Sequence, residues 1–219
     1  MSPIDIQYRH EWKHIISRSD LLTIRGRLQA VARPDPHAVD GKYRIRSLYF
    51  DTARDKALRE KFRIRTYNLD PSVIHLEKKS RRSGLGAKFS ADLTAEETRK
   101  ILAGDTAWML QSGRPLVQEL YCRMSSEGLR PKTIVDYTRE PYIFAPGNVR
   151  VTFDYDIRTG LGCTDFLDPD CVTVPAGDAP VILEVKWDAF LPDIIRDAVW
   201  VPGRRETAFS KYAQCRVYG

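Results

Sequence analysis

Apolar and polar residues alternate along several short stretches of the chain, a period of two that is typical of β-strands with one buried face. The stretch 149–157 shows the pattern most clearly, with Val149, Val151, Phe153, Tyr155 and Ile157 on one face and Arg150, Thr152, Asp154 and Asp156 on the other. The same alternation predicts further strands over 6–16, 43–50, 60–67, 73–80, 86–92, 132–139 and 181–187, with a turn at Ser83-Gly84.

Apolar residues recur at a spacing near 3.6 elsewhere, which predicts helices. One such segment is 20–32, after the capping candidates Ser19 and Asp20. Thr94 and Glu97 match a capping box that opens a helix ending at Gly104. Further helices are predicted over 115–126, 191–200 and 206–214, with a short one capped at Asp51-Thr52.

These elements predict an α+β fold: a closed antiparallel β-barrel, or tunnel, of about eight strands with the helices packed outside it. The chain contains no internal repeat, low-complexity tract or flexible linker, and its Pro and Gly residues are scattered as turn residues. We therefore predict a single domain over residues 1–219.

The amino-acid composition excludes few classes of function. A hydrophobic content of 42% with 29% charged residues fits a folded protein rather than a disordered one. Lys and Arg outnumber Asp and Glu by 35 to 29, and this excess favours an anionic partner. No apolar run approaches the ~20 residues that cross a bilayer. The cysteines lack CxxC spacing, so we predict free thiols rather than a zinc site for Cys122, Cys163, Cys171 and Cys215.

The polar faces of the predicted strands are rich in Lys and Arg, and side chains two residues apart share a face. A Glu precedes a Lys by two residues in three strands, at Glu11 and Lys13, Glu77 and Lys79, and Glu184 and Lys186. Other strands carry Lys61, Arg63 and Arg65, or Tyr137 and Arg139. One such strand usually belongs to a sheet with a solvated face. Here the polar face rich in Lys and Arg recurs in six strands, and the opposite faces are apolar, so helices could cover them. If helices cover the outside of the barrel, the charged faces line its interior.

A charged interior is costly unless water, counter-charges or a ligand satisfies it. A polyphosphate would do so, because Arg offers phosphate a planar fork and Lys a mobile point charge. Glutamates among phosphates are explained by Mn²⁺ or Mg²⁺ that bridges carboxylate to phosphate. Salt bridges to neighbouring Lys or Arg explain them equally well.

Ordered motifs along nearly the whole chain complete the picture: Arg9-x-Glu11-x-Lys13, Ser47-Leu48-Tyr49-Phe50-Asp51, Lys61-x-Arg63-x-Arg65-x-Tyr67, Leu76-Glu77-x-Lys79, Lys88-Phe89, Val135-x-Tyr137-x-Arg139, Arg150-x-Thr152-x-Asp154, Leu183-Glu184-x-Lys186 and Phe209-Ser210-Lys211-Tyr212. With them the chain resembles the catalytic domain of the vacuolar transporter chaperone (VTC) polyphosphate polymerases, in the triphosphate tunnel metalloenzyme (CYTH-like) superfamily.

The resemblance implies growth of a polyphosphate chain from the terminal phosphate of ATP, with Mn²⁺ or Mg²⁺. It implies catalytic roles for Arg63, Arg65, Lys79, Arg139 and Arg150. It implies phosphate binding by Lys13, Lys61, Lys88, Tyr137, Lys186, Ser210 and Lys211. It implies metal binding by Glu184, with Glu11 and Glu77 as further candidates.

Eukaryotic members of this family carry a phosphate-sensing domain and membrane helices that this sequence does not contain, so the chain looks like a stand-alone bacterial form. We expect a cytoplasmic protein, held at the inner face of the membrane if it has a membrane-protein partner. A triphosphatase of the same fold and a non-catalytic polyphosphate-binding module are the alternatives. Nucleic acid is not expected as a partner, because Phe62, Phe153 and Trp187 lie opposite the basic residues. The four histidines show no ligand spacing and are predicted to be structural or surface residues: His10, His14, His37 and His75.

Overall fold

A computed structural model describes residues 9–52, 60–82, 85–178, 180–203, 206–207 and 209–217. Its strands are β1 His10–Ile16, β2 Arg33–Pro34, β3 Tyr43–Asp51, β4 Glu60–Tyr67, β5 Ile74–Arg82, β6 Leu85–Leu93, β7 Arg130–Phe144, β8 Val149–Thr159, β9 Val174–Pro175 and β10 Val181–Trp187. Its helices are α1 Arg18–Val31, α2 Ala95–Leu102, α3 Pro115–Ser126, α4 Asp193–Val199 and α5 Lys211–Arg216, with short 3₁₀ helices at Ala107–Gln111 and Pro146–Asn148.

The α+β class is confirmed, and each long predicted strand is present. The helix predicted over 206–214 begins only at Lys211, because Ser210 has extended backbone and accepts a hydrogen bond from the Ala213 amide as the N-cap. The capping candidate Ser19 is also wrong: Ser17 caps α1, in a reciprocal capping box with Asp20. The short helix predicted after Asp51-Thr52 and the turn at Ser83-Gly84 lie outside the described residues.

One antiparallel sheet contains all the strands, in the order β1-β10-β8-β7-β3-β4-β5-β6, with β2 beside β7 and β9 beside β8. Within the described ranges no ladder joins β1 to β6, so the barrel is not closed by hydrogen bonds. The sheet is nevertheless strongly curled. The charges of Lys186 and Glu184 on β10 act on Lys79 on β5, whereas five strand spacings would separate these strands by about 24 Å in a flat sheet.

Two apolar cores cover the convex side of this sheet, as the alternation predicts. In the first, Ile24 and Leu28 of α1 pack with Phe153 and Val185, and α4 joins them. In the second, residues of α2 and α3 pack over Ile64 and nearby residues of β3 and β5. Burying these faces leaves the opposite, polar faces of the same strands on the concave side.

The prediction that all helices pack outside is wrong for α5. Tyr212 and Cys215 belong to a third cluster on the concave side, with residues such as Ile45, Tyr137 and Ile182. The Tyr212 ring stacks on Tyr49, with centroids 4.7 Å apart. The concave face therefore has an apolar part, and the chain end covers it because burial of that surface is favourable.

A β-bulge changes the predicted facing of the end of β8. The pairing of β7 with β8 shifts register between Asp136 and Thr138, and Asp156 has a positive φ of 52°. Beyond the bulge Ile157 joins the inner cluster, although the alternation placed it with the outer residues. Asp156, predicted to face inward, lies outside and pairs with Arg18 of α1 at 2.9 Å.

Candidate functional site

The concave side gathers charged residues from seven of the eight long strands and from α5. We call these residues the charged face: Glu11, Lys13, Lys61, Arg63, Arg65, Glu77, Lys79, Lys88, Arg139, Arg150, Asp154, Glu184, Lys186 and Lys211. The structure therefore brings together nearly all the residues that the sequence singled out. Their functional roles stay predictions.

Two of the three Glu-x-Lys motifs lie side by side at one edge of the charged face. Because β1 and β10 are antiparallel, Glu11 lies opposite Lys186 and Lys13 opposite Glu184. The four side chains form a ring of alternating charge, in which Lys13 Nζ lies 2.8 Å from Glu11 and 3.2 Å from Glu184. Lys186 Nζ lies 3.4 Å from Glu11 and 2.8 Å from Glu184.

Glu184 is ionised within this ring. Burial alone would raise the pKa of its carboxyl, but the charges of Lys186, Arg139 and Lys13 hold that pKa well below its ordinary value. A mostly buried carboxylate with a lowered pKa among cations has the chemistry of a ligand for a divalent metal, and equally that of a salt-bridge partner.

The third Glu-x-Lys motif is arranged differently. Glu77 is 1% exposed, and its carboxylate receives Arg63 Nε at 2.6 Å and Lys88 Nζ at 2.6 Å, with Arg65 at 3.7 Å. These cations hold the pKa of Glu77 far below its ordinary value, although burial opposes them. Both of its oxygens therefore contact cations of the protein.

Lys79 therefore does not form an ion pair with Glu77, the glutamate of its own motif. Within the part of the chain that the structure describes, no carboxylate lies within ion-pair distance of it, and water still reaches its side chain. Enclosure by the protein, followed by the positive charges of Arg63 and Lys186, lowers the pKa of Lys79 to about 7. Lys61 likewise has no described carboxylate partner, and its Nζ lies 5.5 Å from the centre of the Tyr212 ring.

A third ion-pair group lies at the centre of the sheet. Arg139 makes a bidentate pair with Asp154 at 2.6 and 2.7 Å, and Lys211 of α5 approaches the same carboxylate at 2.6 Å. Although burial opposes it, the charges of Arg139 and Lys211 lower the pKa of Asp154 to about 2. The sequence reasoning missed Asp154 as a site residue, although its spacing placed it on the same face as Arg150.

Hydroxyl groups fix the orientation of the two arginines on β4. Arg65 donates from Nε to Ser47 Oγ at 3.0 Å and from Nη2 to Tyr137 Oη at 3.1 Å. Arg63 donates to Tyr49 Oη at 2.8 Å. Tyr137 was predicted to bind phosphate; its hydroxyl accepts from Arg65, and its phosphate-binding role stays a prediction. Ser47 and Tyr49 belong to the motif at 47–51, and nothing in their spacing distinguishes a positioning role from a packing one.

Two predicted residues lie at the margin. Arg150 reaches Asp35 at 3.2 Å and is 39% exposed, and its Nε is buried without a hydrogen-bond partner. Ser210 caps α5, since its Oγ accepts from the Ala213 amide at 3.2 Å, so the structure gives it a local role.

The donor set decides which glutamates could hold a metal. Among the described residues no three His, Cys, Asp or Glu side chains are grouped to bind an ion. Glu11 and Glu184 are close enough to share two lysines, and phosphate oxygens would complete the coordination shell of Mg²⁺ or Mn²⁺ beside one or two carboxylates. These two residues fit. Glu77 does not, because three cations of the protein already surround it.

The fold and the site together define a curled antiparallel sheet with a cation-rich concave face. The chain belongs to the VTC domain family, whose model matches residues 8–218. No curated protein matches the chain. Within the described residues no helix is both long and apolar enough to span a bilayer.

Several solved structures are similar at low identity. The PH1819 protein from Pyrococcus horikoshii OT3 is 16% identical, with a TM-score of 0.46 over 88% of this chain and 84% of that one. A protein from Bacillus halodurans described as a candidate adenylate cyclase is 14% identical, with a TM-score of 0.49 over 82% and 80%.

Proposed function

We propose that this protein is a polyphosphate polymerase that transfers the terminal phosphate of ATP to a growing polyphosphate chain held on the charged face. The observation that carries the proposal is an imbalance of charge on the concave face of the sheet. Four carboxylates on that face, with Asp35 at its margin, stand against ten basic side chains: Lys13, Lys61, Arg63, Arg65, Lys79, Lys88, Arg139, Arg150, Lys186 and Lys211. A polyanion restores the balance.

The arginines supply the fixed part of the site. Arg63, Arg65 and Arg139 are mostly buried, and each is held by a carboxylate or hydroxyl group. Preorganised donors lose little entropy on binding, and phosphoryl transfer depends mainly on such positioning and charge neutralisation. In this proposal the three arginines align the phosphates of ATP.

Lys79 and Lys61 supply the charges that are free to follow the substrate. Neither has a described carboxylate partner, so a phosphate does not have to break an ion pair of the protein to reach them. A compact ammonium on a flexible chain tolerates successive positions of a moving phosphate better than a guanidinium fork does. This pair suits a chain that advances as it grows.

Glu184 and Glu11 are the residues that would hold Mn²⁺ or Mg²⁺. When bound, such an ion neutralises charge on phosphate oxygens and orients them. Lys13 and Lys186 keep both carboxylates ionised and in place before substrate arrives. Glu77 has a different task in this proposal, which is to space Arg63 and Arg65 for phosphate.

The reaction requires no nucleophile from the protein. The terminal phosphate oxygen of the growing chain attacks the γ-phosphorus of ATP in line, the bond to the β-phosphate oxygen breaks, and ADP leaves. Stacking on nucleic-acid bases is disfavoured, because Phe62, Phe153 and Trp187 are buried in the outer cores.

Incubation of the purified protein with ATP, Mn²⁺ or Mg²⁺ and a short polyphosphate primer tests the proposal. We expect ADP and a lengthening chain on a sizing gel, and loss of both in Arg139→Gln. Arg27→Gln is the matched control, since Arg27 lies on α1 and bonds to the Trp200 carbonyl away from the charged face. Inorganic phosphate without chain growth would identify a triphosphatase. Binding that survives chelation, without turnover, would identify a binding module.

A further inference from the structure

The loop between β8 and β9, residues 160–173, carries two cysteines that the reaction above does not use. The Sγ atoms of Cys163 and Cys171 lie 3.2 Å apart. A disulfide bond requires about 2.05 Å, so a shift of roughly one ångström would join them. The sequence reasoning treated both as free thiols, and their separation along the chain gave no reason to pair them.

The loop holds the two thiols together by local turns. The Cys163 amide donates to the Gly160 carbonyl at 2.8 Å, and the Cys171 amide donates to the Asp168 carbonyl at 3.3 Å. Between them Phe166 is 1% exposed and packs into the outer core beside α2 and α3. Both ends of the thiol pair are therefore positioned by backbone hydrogen bonds and a buried anchor.

A buried arginine fastens the same loop to the sheet. Arg46 of β3 is 0% exposed and pairs with Asp136 at 2.9 Å. Its Nη1 also donates to the backbone carbonyls of Phe166 and Asp168, within the loop. A buried guanidinium is expensive to leave unsatisfied, so these contacts keep the loop in place independently of the thiols.

We propose that Cys163 and Cys171 form a reversible disulfide that fastens loop 160–173 to the convex side of the sheet. The oxidant is a small disulfide of the glutathione type. Cys163 is the more accessible of the two residues. Its thiolate attacks one sulfur of the small disulfide, which forms a mixed disulfide at Cys163 and releases the other half of the small disulfide as a thiolate. The Cys171 sulfur then attacks the mixed disulfide at Cys163 and releases the second. Two thiol protons pass to the leaving thiolates, so two protein thiols and one small disulfide give one protein disulfide and two small thiols.

The chemistry of the two residues fits this order. Burial, with the neighbouring Cys163, raises the pKa of the Cys171 thiol to about 12, so Cys171 is a poor first attacker. Its role is to resolve the mixed disulfide, an intramolecular step in which the 3.2 Å separation between the two sulfurs offsets the small thiolate fraction of Cys171.

The site is separate from the charged face, so the proposal is independent of the proposed function. Arg46 and the loop lie on the convex side of β3, whereas the next residue, Ser47, faces inward and orients Arg65. Closing the disulfide is expected to stabilise the fold by restricting the unfolded chain, and to leave phosphate binding within about two-fold of its reduced value.

Peptide mapping of the full chain provides the test. The purified protein is treated with oxidised glutathione or with dithiothreitol, alkylated under denaturing conditions and digested with trypsin. No Lys or Arg lies between Arg158 and Lys186, so both cysteines fall in one peptide, 159–186. After oxidation we expect this peptide to carry no alkyl group and to weigh two hydrogen atoms less than the reduced, unalkylated peptide. We also expect the melting temperature to rise by roughly 5 °C.

Variants separate the pair from other thiols. Cys163→Ser should abolish both effects, and Cys122→Ser should leave both intact, since Cys122 is exposed on α3. If Cys171→Ser folds poorly, Cys163→Ser alone carries the comparison. Full double alkylation after oxidation, or a glutathione adduct on Cys163 that does not resolve, would overturn the proposal.

Discussion

Replacing Glu77 by Gln removes the charge that holds three cations together, and this substitution tests the electrostatic description of the site. Glu77 is 1% exposed and contacts Arg63, Arg65 and Lys88. Removing one partner of a buried ion pair costs about 3–5 kcal/mol, because the remaining charge is left unsatisfied. Lys88 is 52% exposed and is screened by water, so the two arginines account for most of the loss.

We expect the free energy of unfolding to fall by about 3 kcal/mol and the melting temperature by about 10 °C for a chain of this length. A bound polyanion should reverse much of that loss, since it returns negative charge to the same cations. The rise in melting temperature on adding tripolyphosphate without metal should therefore be larger in Glu77→Gln than in the unmodified protein.

Differential scanning fluorimetry with and without tripolyphosphate measures both quantities. Glu97→Gln is the matched control, because Glu97 pairs with Arg114 and caps α2, away from the charged face. It should also lower the melting temperature, but the rise caused by the ligand should match that of the unmodified protein. Equal ligand effects in Glu77→Gln and Glu97→Gln would refute the placement of Glu77 within a polyanion site.

Three further predictions follow from the other charges. The pKa of Lys79 is lowered to about 7 and a bound anion raises it, so affinity for tripolyphosphate should weaken as the pH rises from about 7 to 9. Calorimetry should find this weakening much reduced in Lys79→Arg but retained in Lys61→Arg. Glu184→Gln should reduce metal-dependent turnover by about 100-fold. The same substitution should tighten the binding of tripolyphosphate in the absence of metal. Unchanged turnover would show that Glu184 does not hold the metal. The pKa of Asp154 is lowered to about 2, so its ion pairs stabilise the fold above pH 4 or so and are lost as the pH falls toward 2. Thermal unfolding followed by circular dichroism should show Asp154→Asn to be less stable than the unmodified protein at pH 6. Its stability should also fall less than that of the unmodified protein between about pH 4 and pH 2.

Local patterns in the sequence determined the elements and the face that each residue occupies. The alternation in β10 separates Glu184 from Val185, and the same period of two holds in β4 and β5 because successive side chains of a strand point to opposite sides. It fails at the end of β8, where the bulge at Asp156 inserts one residue and reverses the facing. A single inserted residue is compatible with either pattern, so alternation alone does not locate it.

Only the tertiary structure decided which charges meet. Glu11-x-Lys13 and Glu77-x-Lys79 have the same motif, yet the first joins a ring with β10, whereas the second gives its glutamate to Arg63 and leaves its lysine without a carboxylate. The difference arises from which strand lies alongside each motif and in what register. Strand order, the position of α5 and the approach of Cys163 to Cys171 depend likewise on contacts between residues far apart in the chain or on the geometry of turns. The residue pattern of a single segment carries no information about them.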